Sequence, residues 1–284
     1  MASDGGAPDM NYRAEETGDV AGGAGPAEIV DAPAMTASLL EAAGGYLRLW
    51  LALALCGFCF LATCVVCALV RPFVTAGDGR RIARAAIGLL FRGNLRMVSA
   101  LGVVEVDNAE LDAIGDEPSI ILAPNHPSML DAMLVIARLD NVACIMKAEL
   151  WRNPFLGAGA RLAGYIRNDS AHSMVRLAVD DLREGGRLLI FPEATRTVRR
   201  PVNPLSGGFA LIARKAQAPV QTILIETDSP YLGKGWSLFR RPPMPIRFRL
   251  RLGRRFDPGE NTDRLVEELQ DYYASELATR DTGG

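Results

Sequence analysis

A long run of apolar residues dominates the hydrophobic pattern of this chain. Residues 49–70 read LWLALALCGFCFLATCVVCALV, 22 positions without a charged residue. A helix of this length spans roughly 30 Å, the thickness of the hydrocarbon core of a bilayer. A buried core helix is rarely apolar on every side over such a length, and a signal peptide would lie earlier and follow a basic segment. The run therefore predicts a transmembrane helix over residues 46–72.

The next segment has the pattern of an amphipathic helix. Within residues 80–102, apolar residues recur at spacings of three and four and are interleaved with arginines; they are Ile82, Ala85, Ala86, Leu89, Leu90, Leu95, Met97, Val98 and Leu101. Such a helix is typical of a membrane interface. The alternative is a helix packed on the folded body. We assign residues 73–102 to a basic, membrane-associated segment.

From Val103 onward, short apolar runs alternate with stretches of helical pattern. The candidate strands are VVEV (103–106), SIILAPN (119–125), ACIM (143–146), GYI (164–166), RLLIFPE (187–193), PVQTILIE (219–226) and MPIRFRLRL (244–252). The candidate helices are 128–138, 153–163, 171–184, 206–217 and 262–278. This alternation predicts an α/β domain over residues 103–284, with a mixed, largely parallel sheet and flanking helices. The strict alternation of MPIRFRLRL predicts an edge strand with one solvated, arginine-lined face.

Composition divides the chain into an acidic start and a basic remainder. Residues 1–46 carry eight acidic residues against Arg13 alone, a net charge of −7; subtracting this from the total of −2 leaves +5. Residues 1–40 are rich in Gly, Ala, Pro and acids and lack periodicity, so we expect a disordered acidic segment over 1–45. A basic body suits an anionic substrate or membrane surface. Its scattered basic residues do not resemble a nucleic-acid module.

The charges that flank the apolar run predict its orientation. Arg48 stands nearly alone on the N-terminal side, whereas the C-terminal side carries Arg71, Arg80, Arg81, Arg84 and Arg92. The positive-inside rule then places the body in the cytoplasm. We expect an integral membrane protein of a bacterial inner membrane with its α/β domain on the cytoplasmic side.

The five cysteines do not indicate a metal site or a disulfide framework. Cys56, Cys59, Cys64 and Cys67 lie in the apolar run, where no histidine or carboxylate could complete a metal cage, and Cys144 lies in a candidate strand. We interpret them as packing residues.

A histidine and an aspartate follow the second candidate strand in the stretch NHPSMLD. His126 precedes Pro127, which favours the first turn of a helix, and Asp131 follows five residues after the histidine. Side chains of a helix tilt toward its N-terminus, so Asp131 can reach back to His126. Such a pair makes a general base, because the carboxylate fixes the imidazole tautomer and stabilises the imidazolium. A capping histidine beside a solvated aspartate is the alternative. His172, at the start of a polar helix, is predicted to be exposed, and Ser128 is not assigned as a partner of His126.

A second polar cluster follows the strand RLLI. In FPEATRT (191–197), Glu193 and Arg196 flank a turn at the predicted end of the sheet. Arg196 offers a bidentate fork to a phosphate. Glu193 could orient that arginine or bind an acceptor hydroxyl. A surface turn with a helix cap is the alternative.

Together, these two blocks resemble the glycerolipid acyltransferase family, whose founding activity is 1-acylglycerol-3-phosphate acyltransferase. Its hallmark is a histidine and an aspartate with four residues between them, here His126 and Asp131, followed by an FPEGTR-type segment, here residues 191–196. The resemblance covers residues 100–230. It extends to K-x-E-L (147–150) with NPFLG after it, to GYI (164–166), and to APV (218–220).

The sequence departs from the family pattern at two positions. Ala194 replaces the usual glycine, a change that fits if the backbone there does not need a positive φ. Ser170 stands where many members have an arginine, and Arg167 could take the place of that arginine.

The resemblance implies acyl transfer without a covalent acyl-enzyme. His126 would deprotonate an acceptor hydroxyl, which attacks the thioester of acyl-CoA or acyl-carrier protein, and Asp131 would support it. The implied acceptor or phosphate-binding residues are Glu193, Arg196, Thr195, Lys147 and Arg167. No metal or cofactor is expected. The expected partners are a lysophospholipid, an acyl thioester and membrane lipids, with acyl-carrier protein as one candidate donor.

The leading hypothesis is a membrane-bound enzyme that converts 1-acylglycerol-3-phosphate to phosphatidic acid. One alternative keeps the chemistry but uses another acceptor, such as a lyso-ornithine lipid or a glycolipid. Another is a non-catalytic, membrane-bound lipid-binding protein with the same fold.

Overall fold

The structure is a computed structural model that describes residues 32–153, 157–199 and 201–281. The chain divides into two compact units, Met1–Glu41 and Ala42–Gly284. The predicted acidic segment falls mostly on residues 1–31, which lie outside the described residues. From Ala32 onward the backbone is helical, so the described helix begins within the segment predicted to be disordered.

The described residues of the larger unit form a seven-stranded sheet, and every candidate strand is present. The strands are β1 (Val104–Asp107), β2 (Ile121–Pro124), β3 (Val142–Lys147), β4 (Ile166–Asn168), β5 (Arg187–Leu189), β6 (Val220–Thr227) and β7 (Ile246–Phe256). Their order across the sheet is β1-β7-β6-β2-β5-β3-β4, and all pairs are parallel except β6 with β7. The predicted mixed, largely parallel sheet is confirmed.

The position of β7 in the sheet corrects the prediction of an edge strand. This strand lies between β1 and β6, so its backbone pairs on both sides. Its alternation is nevertheless real: Phe248 and Leu250 are buried, whereas Arg247 and Arg249 are exposed. Side-chain alternation reports which face of a strand is wet, and it carries no information on how many neighbours the backbone has.

The helices flank the sheet. They are α1 (Ala32–Val70), α2 (Ala76–Ala100), α3 (Asp131–Ile136), α4 (Ala148–Arg152), α5 (Gly157–Leu162), α6 (Ala171–Arg183), α7 (Gly208–Ala216) and α8 (Thr262–Asp281). Short 3-10 helices, Arg71–Phe73 and Ala109–Ile114, connect neighbouring elements. The short helix α4 and these 3-10 turns were not predicted, because each has too few residues to show a period.

Helix α3 begins later than predicted. The proline pattern placed its first turn at residues 127–128, but the helix begins at Asp131. His126 and Pro127 therefore lie in a loop between β2 and α3. The carboxylate of Asp131 accepts the backbone N–H of Ser128 at 2.8 Å, so that this acid holds the loop that precedes its own helix.

The apolar run lies within α1, and residues 41–73 are long and apolar enough to cross a membrane. Most of its surface is exposed, but Leu49 and Ala52 are buried against the domain, as are Cys64 and Cys67 further along. A Cβ atom on Gly159 would lie 3.8 Å from Sγ of Cys64, so α5 packs closely on α1. One side of α1 thus contacts the domain, and an apolar side remains exposed.

Helix α2 packs on the domain and keeps an exposed apolar side. Ile87 and Leu95 are buried, whereas Ile82 and Leu89 are 51% and 65% exposed. The guanidinium of Arg84, buried in this interface, donates to Oδ1 of Asp181 in α6 and to the carbonyl oxygen of Ala163 at 2.9 Å. Removing one partner of a buried ion pair strongly destabilises the folded state, so this arginine has a structural role.

Candidate active site

Two loops meet at one edge of the sheet because the strands that precede them are neighbours. Strands β2 and β5 are parallel, with Ile121 opposite Leu188. Their carboxyl ends therefore lie together, and parallel α/β sheets usually bind ligands at that edge. The β2 loop carries His126, and the β5 loop begins at Ile190. The backbone N–H of Thr197 donates to the carbonyl oxygen of His126 at 2.7 Å, which joins the two loops directly.

The imidazole of His126 is oriented by Asp131. Nδ1 of His126 lies 2.8 Å from Oδ2 of Asp131, whose side chain is fully buried. The carboxylate accepts here, so Nδ1 carries the hydrogen and Nε2 has the lone pair. The imidazole itself is 18% exposed, which leaves it accessible to a substrate. The ring of Phe191 stacks on it with centroids 3.8 Å apart and thereby fixes its plane.

The environment of Asp131 opposes ionisation. Burial raises the pKa of this carboxyl from 3.8 to about 6, although the hydrogen bond from His126 and the N–H of Ser128 act in the opposite direction. Oδ1 of Asp131 is buried and has no hydrogen-bond partner among the described residues. An ionised carboxylate in this position gains stability when the imidazole beside it becomes positive. Asp131 is therefore placed to stabilise an imidazolium at His126.

Glu193, in the loop after β5, accepts a hydrogen bond from the loop that carries His126. Its Oε1 accepts the backbone N–H of His126 at 2.8 Å and the hydroxyl of Thr197 at 2.7 Å. Its Oε2 accepts the backbone N–H of Asn203 at 2.9 Å. Glu193 is buried, so both of its oxygens serve the protein. This geometry favours a positioning role and leaves little room for the predicted contact with an acceptor hydroxyl.

Ala194, where the family pattern has glycine, adopts a positive φ of 54°. The condition under which alanine fits without strain, a backbone without a positive φ, is therefore not met. A residue with a Cβ atom in this left-handed conformation costs about 1–2 kcal/mol. The turn is held by the hydrogen bond from the hydroxyl of Thr197 to Oε1 of Glu193, which joins the residues on its two sides.

Arg196 binds the backbone of the loop between β6 and β7. Its Nη1 donates to the carbonyl oxygens of Leu232 and Gly233 at 2.8 and 3.0 Å. One nitrogen of the guanidinium that was predicted to bind a phosphate thus binds backbone carbonyl groups. The edge formed by Nε and Nη2 is the one that a phosphate could approach.

The other predicted site residues are spread along the same sheet edge. Lys147 ends β3 and is exposed, and it pairs in register with Asn168 of β4. Arg167 contacts Asp169 at 2.8 Å and lies 5.2 Å from the ring of Trp151. With strands about 4.8 Å apart, β3 and β4 lie roughly 10 and 14 Å from β2. Lys147 and Arg167 are thus on the sheet edge but not beside His126.

Three further positions from the sequence are a helix cap and two exposed side chains. Ser170 caps α6, its hydroxyl accepting the N–H of Ser173 at 3.2 Å. Thr195 and His172 are exposed, the latter as predicted.

Residues that the sequence did not single out complete the site. The hydroxyl of Ser128 donates to the carbonyl oxygen of Tyr231 at 3.1 Å, and the N–H of Met129 donates to that of Leu232. Asn203 binds the N–H groups of Val198 and Arg199 through Oδ1. Only the asparagine offered a signal, since turns favour this residue. The contacts of Ser128 depend on a loop more than a hundred residues away.

Comparisons with known proteins agree with this geometry. A family model described as Acyltransferase matches residues 104–226. The 1-acyl-sn-glycerol-3-phosphate acyltransferases of Limnanthes alba and Limnanthes douglasii are each 29% identical over 163 residues. These matches cover 54% of this chain and 54% of each relative, so the chain is matched to about half the length of these curated relatives. Residues 104–226 are thus similar to the acyltransferase family.

A solved structure shares the fold. The crystal structure of the 1-acyl-sn-glycerophosphate (LPA) acyltransferase PlsC from Thermotoga maritima matches with a TM-score of 0.64 and 20% identity, over 82% of this chain and 95% of that one. The expected glycerolipid acyltransferase fold is confirmed. The predicted resemblance to the 1-acylglycerol-3-phosphate acyltransferases agrees with these matches.

Proposed function

We propose that the protein is an O-acyltransferase that moves a fatty acyl group from an acyl thioester to the hydroxyl of a lysophospholipid. The observation that carries the proposal is the buried Asp131 carboxylate, 2.8 Å from Nδ1 of His126, within an acyltransferase-family domain. The geometry leaves the lone pair of Nε2 available as a general base.

The reaction follows from this arrangement. Nε2 of His126 takes the proton of the acceptor hydroxyl as its oxygen attacks the thioester carbonyl. Asp131 stabilises the imidazolium that results. When the tetrahedral intermediate collapses, the C–S bond breaks and the thiolate leaves, taking the proton from His126. The products are an ester and a thiol, and neither a metal nor a cofactor is needed.

We propose lysophosphatidate, 1-acylglycerol-3-phosphate, as the acceptor and phosphatidic acid as the product. The support is the activity of the Limnanthes relatives together with the basic residues of the site. The donor is the thioester of CoA or of acyl-carrier protein. Helix α1 would anchor the enzyme in a membrane, which we propose to be a bacterial inner membrane with the domain on its cytoplasmic face.

The test is a comparison of the two histidines. We expect His126→Ala to lower the rate of thioester consumption about 10²–10⁴-fold, the usual cost of losing a general base. His172→Ala is the matched control, because this exposed histidine lies outside the site. Normal turnover by a folded His126→Ala enzyme would refute the mechanism.

A panel of acceptors completes the test. Lysophosphatidate should be the preferred acceptor over a lyso-ornithine lipid and a glycolipid. No turnover with any acceptor would instead favour a non-catalytic lipid-binding protein.

A further inference from the structure

A cleft of about 1160 Å³ opens beside the catalytic loop. Asn125 and Pro127, on either side of His126 in sequence, line it at the end of β2. Lys234, Trp236 and Arg240 line it on the loop between β6 and β7. Its volume slightly exceeds the usual range for ligand sites, about 300–1,000 Å³. The cleft is thus large enough for a substrate headgroup and is lined by the two sequence neighbours of the histidine.

The sheet side of the cleft carries charges that compensate one another. Arg247 lies 3.0 Å from Glu105 and 3.6 Å from Asp228, and Arg249 lies 3.6 Å from Asp107. These acids and arginines form ion pairs between neighbouring strands and with Asp228, which follows β6. An anion gains little from this wall, because each cation already faces a carboxylate.

The loop side of the cleft carries positive charge without such compensation. Lys234 and Arg240 are exposed, and the described residues supply neither of them with an ion-pair partner. The guanidinium of Arg240 lies 4.5 Å from the ring centroid of Trp236, whose Nε1 donates to the carbonyl oxygen of Arg240 at 3.1 Å. Stacking on the indole restricts the guanidinium, so its charge is held in place before a ligand arrives.

The same loop contacts the apolar helix α1. The rings of Trp50 in α1 and Phe239 in the loop stack with centroids 4.8 Å apart, and they are 48% and 53% exposed. Arg241 donates to the carbonyl oxygen of Ala42 at 3.1 Å and lies 5.8 Å from the ring of Tyr46. Exposed aromatic and basic residues beside a long apolar helix are typical of the level of lipid headgroups. The loop side of the cleft therefore faces that level.

The other end of the loop is attached to the catalytic residues. Arg196 binds the carbonyl oxygens of Leu232 and Gly233, immediately before Lys234. A Cβ atom on Gly233 would lie 3.5 Å from the carbonyl oxygen of Pro127, which shows how closely the loop approaches the residue after His126. The loop thus connects the headgroup level to the general base.

We propose that this cleft takes the phosphate monoester headgroup of the lysolipid acceptor from the membrane, with Lys234 and Arg240 as its specificity-determining residues. The proposal rests on the proposed function and names the acceptor side of that site. A phosphate monoester carries close to two negative charges at neutral pH. The paired charges of the sheet side offer it little attraction, and the two cations of the loop side attract it. A zwitterionic headgroup gains less from the same cations.

The experiment uses the full-length protein in neutral mixed micelles with a Lys234→Ala/Arg240→Ala variant. We expect the KM for lysophosphatidate to rise about ten- to hundredfold, the usual effect of losing charge-assisted hydrogen bonds. The kcat, the KM for the acyl donor and the KM for a zwitterionic lysolipid should stay within about twofold. The Lys234→Arg/Arg240→Ala variant has one positive charge more than the double alanine variant. It should therefore recover part of the affinity for lysophosphatidate. The matched control is Arg176→Ala/Lys215→Ala, which removes the same charge from the groove between α6 and α7.

A binding measurement separates this proposal from the proposed function. Calorimetric binding of lysophosphatidate should weaken in the Lys234→Ala/Arg240→Ala variant even if no turnover is found with any enzyme. Flotation with neutral phosphatidylcholine vesicles should be unchanged. A rise in donor KM alone would show that the cleft holds phosphates of the donor and would overturn the proposal. Equal losses for anionic and zwitterionic acceptors, or unchanged lysophosphatidate binding, would overturn it as well.

Discussion

Oε1 of Glu193 accepts the backbone N–H of His126 at 2.8 Å, so an acid at the end of one strand holds the loop that carries the proposed base at the end of the neighbouring strand. The two residues are 67 positions apart in sequence. They meet because β2 and β5 are adjacent and parallel. The FPEATR segment thereby positions the proposed base, in addition to any contact it makes with substrate.

Replacing Glu193 by glutamine tests this positioning role. One amide oxygen cannot accept all the hydrogen bonds that the carboxylate accepts, and the amide N–H₂ would meet another N–H. Leaving such a group unsatisfied costs about 1–3 kcal/mol. We expect a lower kcat and a lower melting temperature, with acceptor KM nearly unchanged. Thr197→Val removes one bond to the same oxygen and should give a smaller effect of the same kind. A selective rise in acceptor KM would show instead that Glu193 binds the acceptor.

Replacing Asp131 by asparagine should separate activity from stability. The amide cannot support the imidazolium, so we expect the rate to fall about 10²–10⁴-fold. The pKa of this carboxyl is raised to about 6 in the folded chain, above its ordinary value of 3.8. Protonated Asp131 therefore favours the folded state, and that contribution is lost as the pH rises through about 6.

The pH dependence follows from this sign. A shift of about two pKa units corresponds to the order of 3 kcal/mol. In detergent, the variant should be more stable than the wild-type protein at pH 8, and the difference should shrink below pH 5. Wild-type kcat/KM should decline as the pH falls through about 6, because protonated Asp131 no longer stabilises the imidazolium. An equal stability difference at both pH values would contradict the raised pKa.

Ala194→Gly should stabilise the protein. Glycine adopts a φ of 54° without steric cost, although it also loses more conformational entropy on folding. The net gain is about 0.5–1 kcal/mol, which corresponds to roughly 1–4 °C in melting temperature for a protein of this size. Ala85→Gly, at an exposed position within α2, is the control and should lower it. A lower melting temperature for Ala194→Gly would show that alanine is unstrained there.

The Arg196→Lys variant tests whether the guanidinium binds both the backbone carbonyls and the acceptor phosphate. Nη1 holds two backbone carbonyls, while the Nε–Nη2 edge could bind the acceptor phosphate. A single ammonium cannot do both. We expect the acceptor KM to rise about ten- to hundredfold, more than the donor KM, together with a lower melting temperature. A donor-specific effect would indicate contact with phosphates of the thioester carrier, and a purely thermal effect would indicate a structural role alone.

The membrane topology can be measured independently of activity. A reporter fused after Gly284 should behave as cytoplasmic, in accordance with the arginines that follow α1. The protein should remain in the membrane fraction at alkaline pH. Release of the intact protein by carbonate would contradict a spanning helix.

The sequence by itself determined the elements and the candidate chemistry. Apolar runs and helical periods located every strand and the longer helices, because side-chain burial leaves its period in the sequence. The spacing of His126 and Asp131, with FPEATR downstream, indicated the family before any coordinate. Local patterns carry such information because helices, strands and short motifs are formed by residues near one another in the chain.

The tertiary structure decided the rest, because it depends on contacts between distant residues. The alternation of β7 could not show that β1 and β6 pair on its two sides. The strain at Ala194 depends on a turn that the hydrogen bond between Glu193 and Thr197 holds. The roles of Glu193 and Arg196, and the approach of Lys234 to the catalytic loop, exist only once β2, β5 and the loop after β6 meet at one sheet edge. Such meetings are set by strand order, which no periodicity in a single sequence encodes.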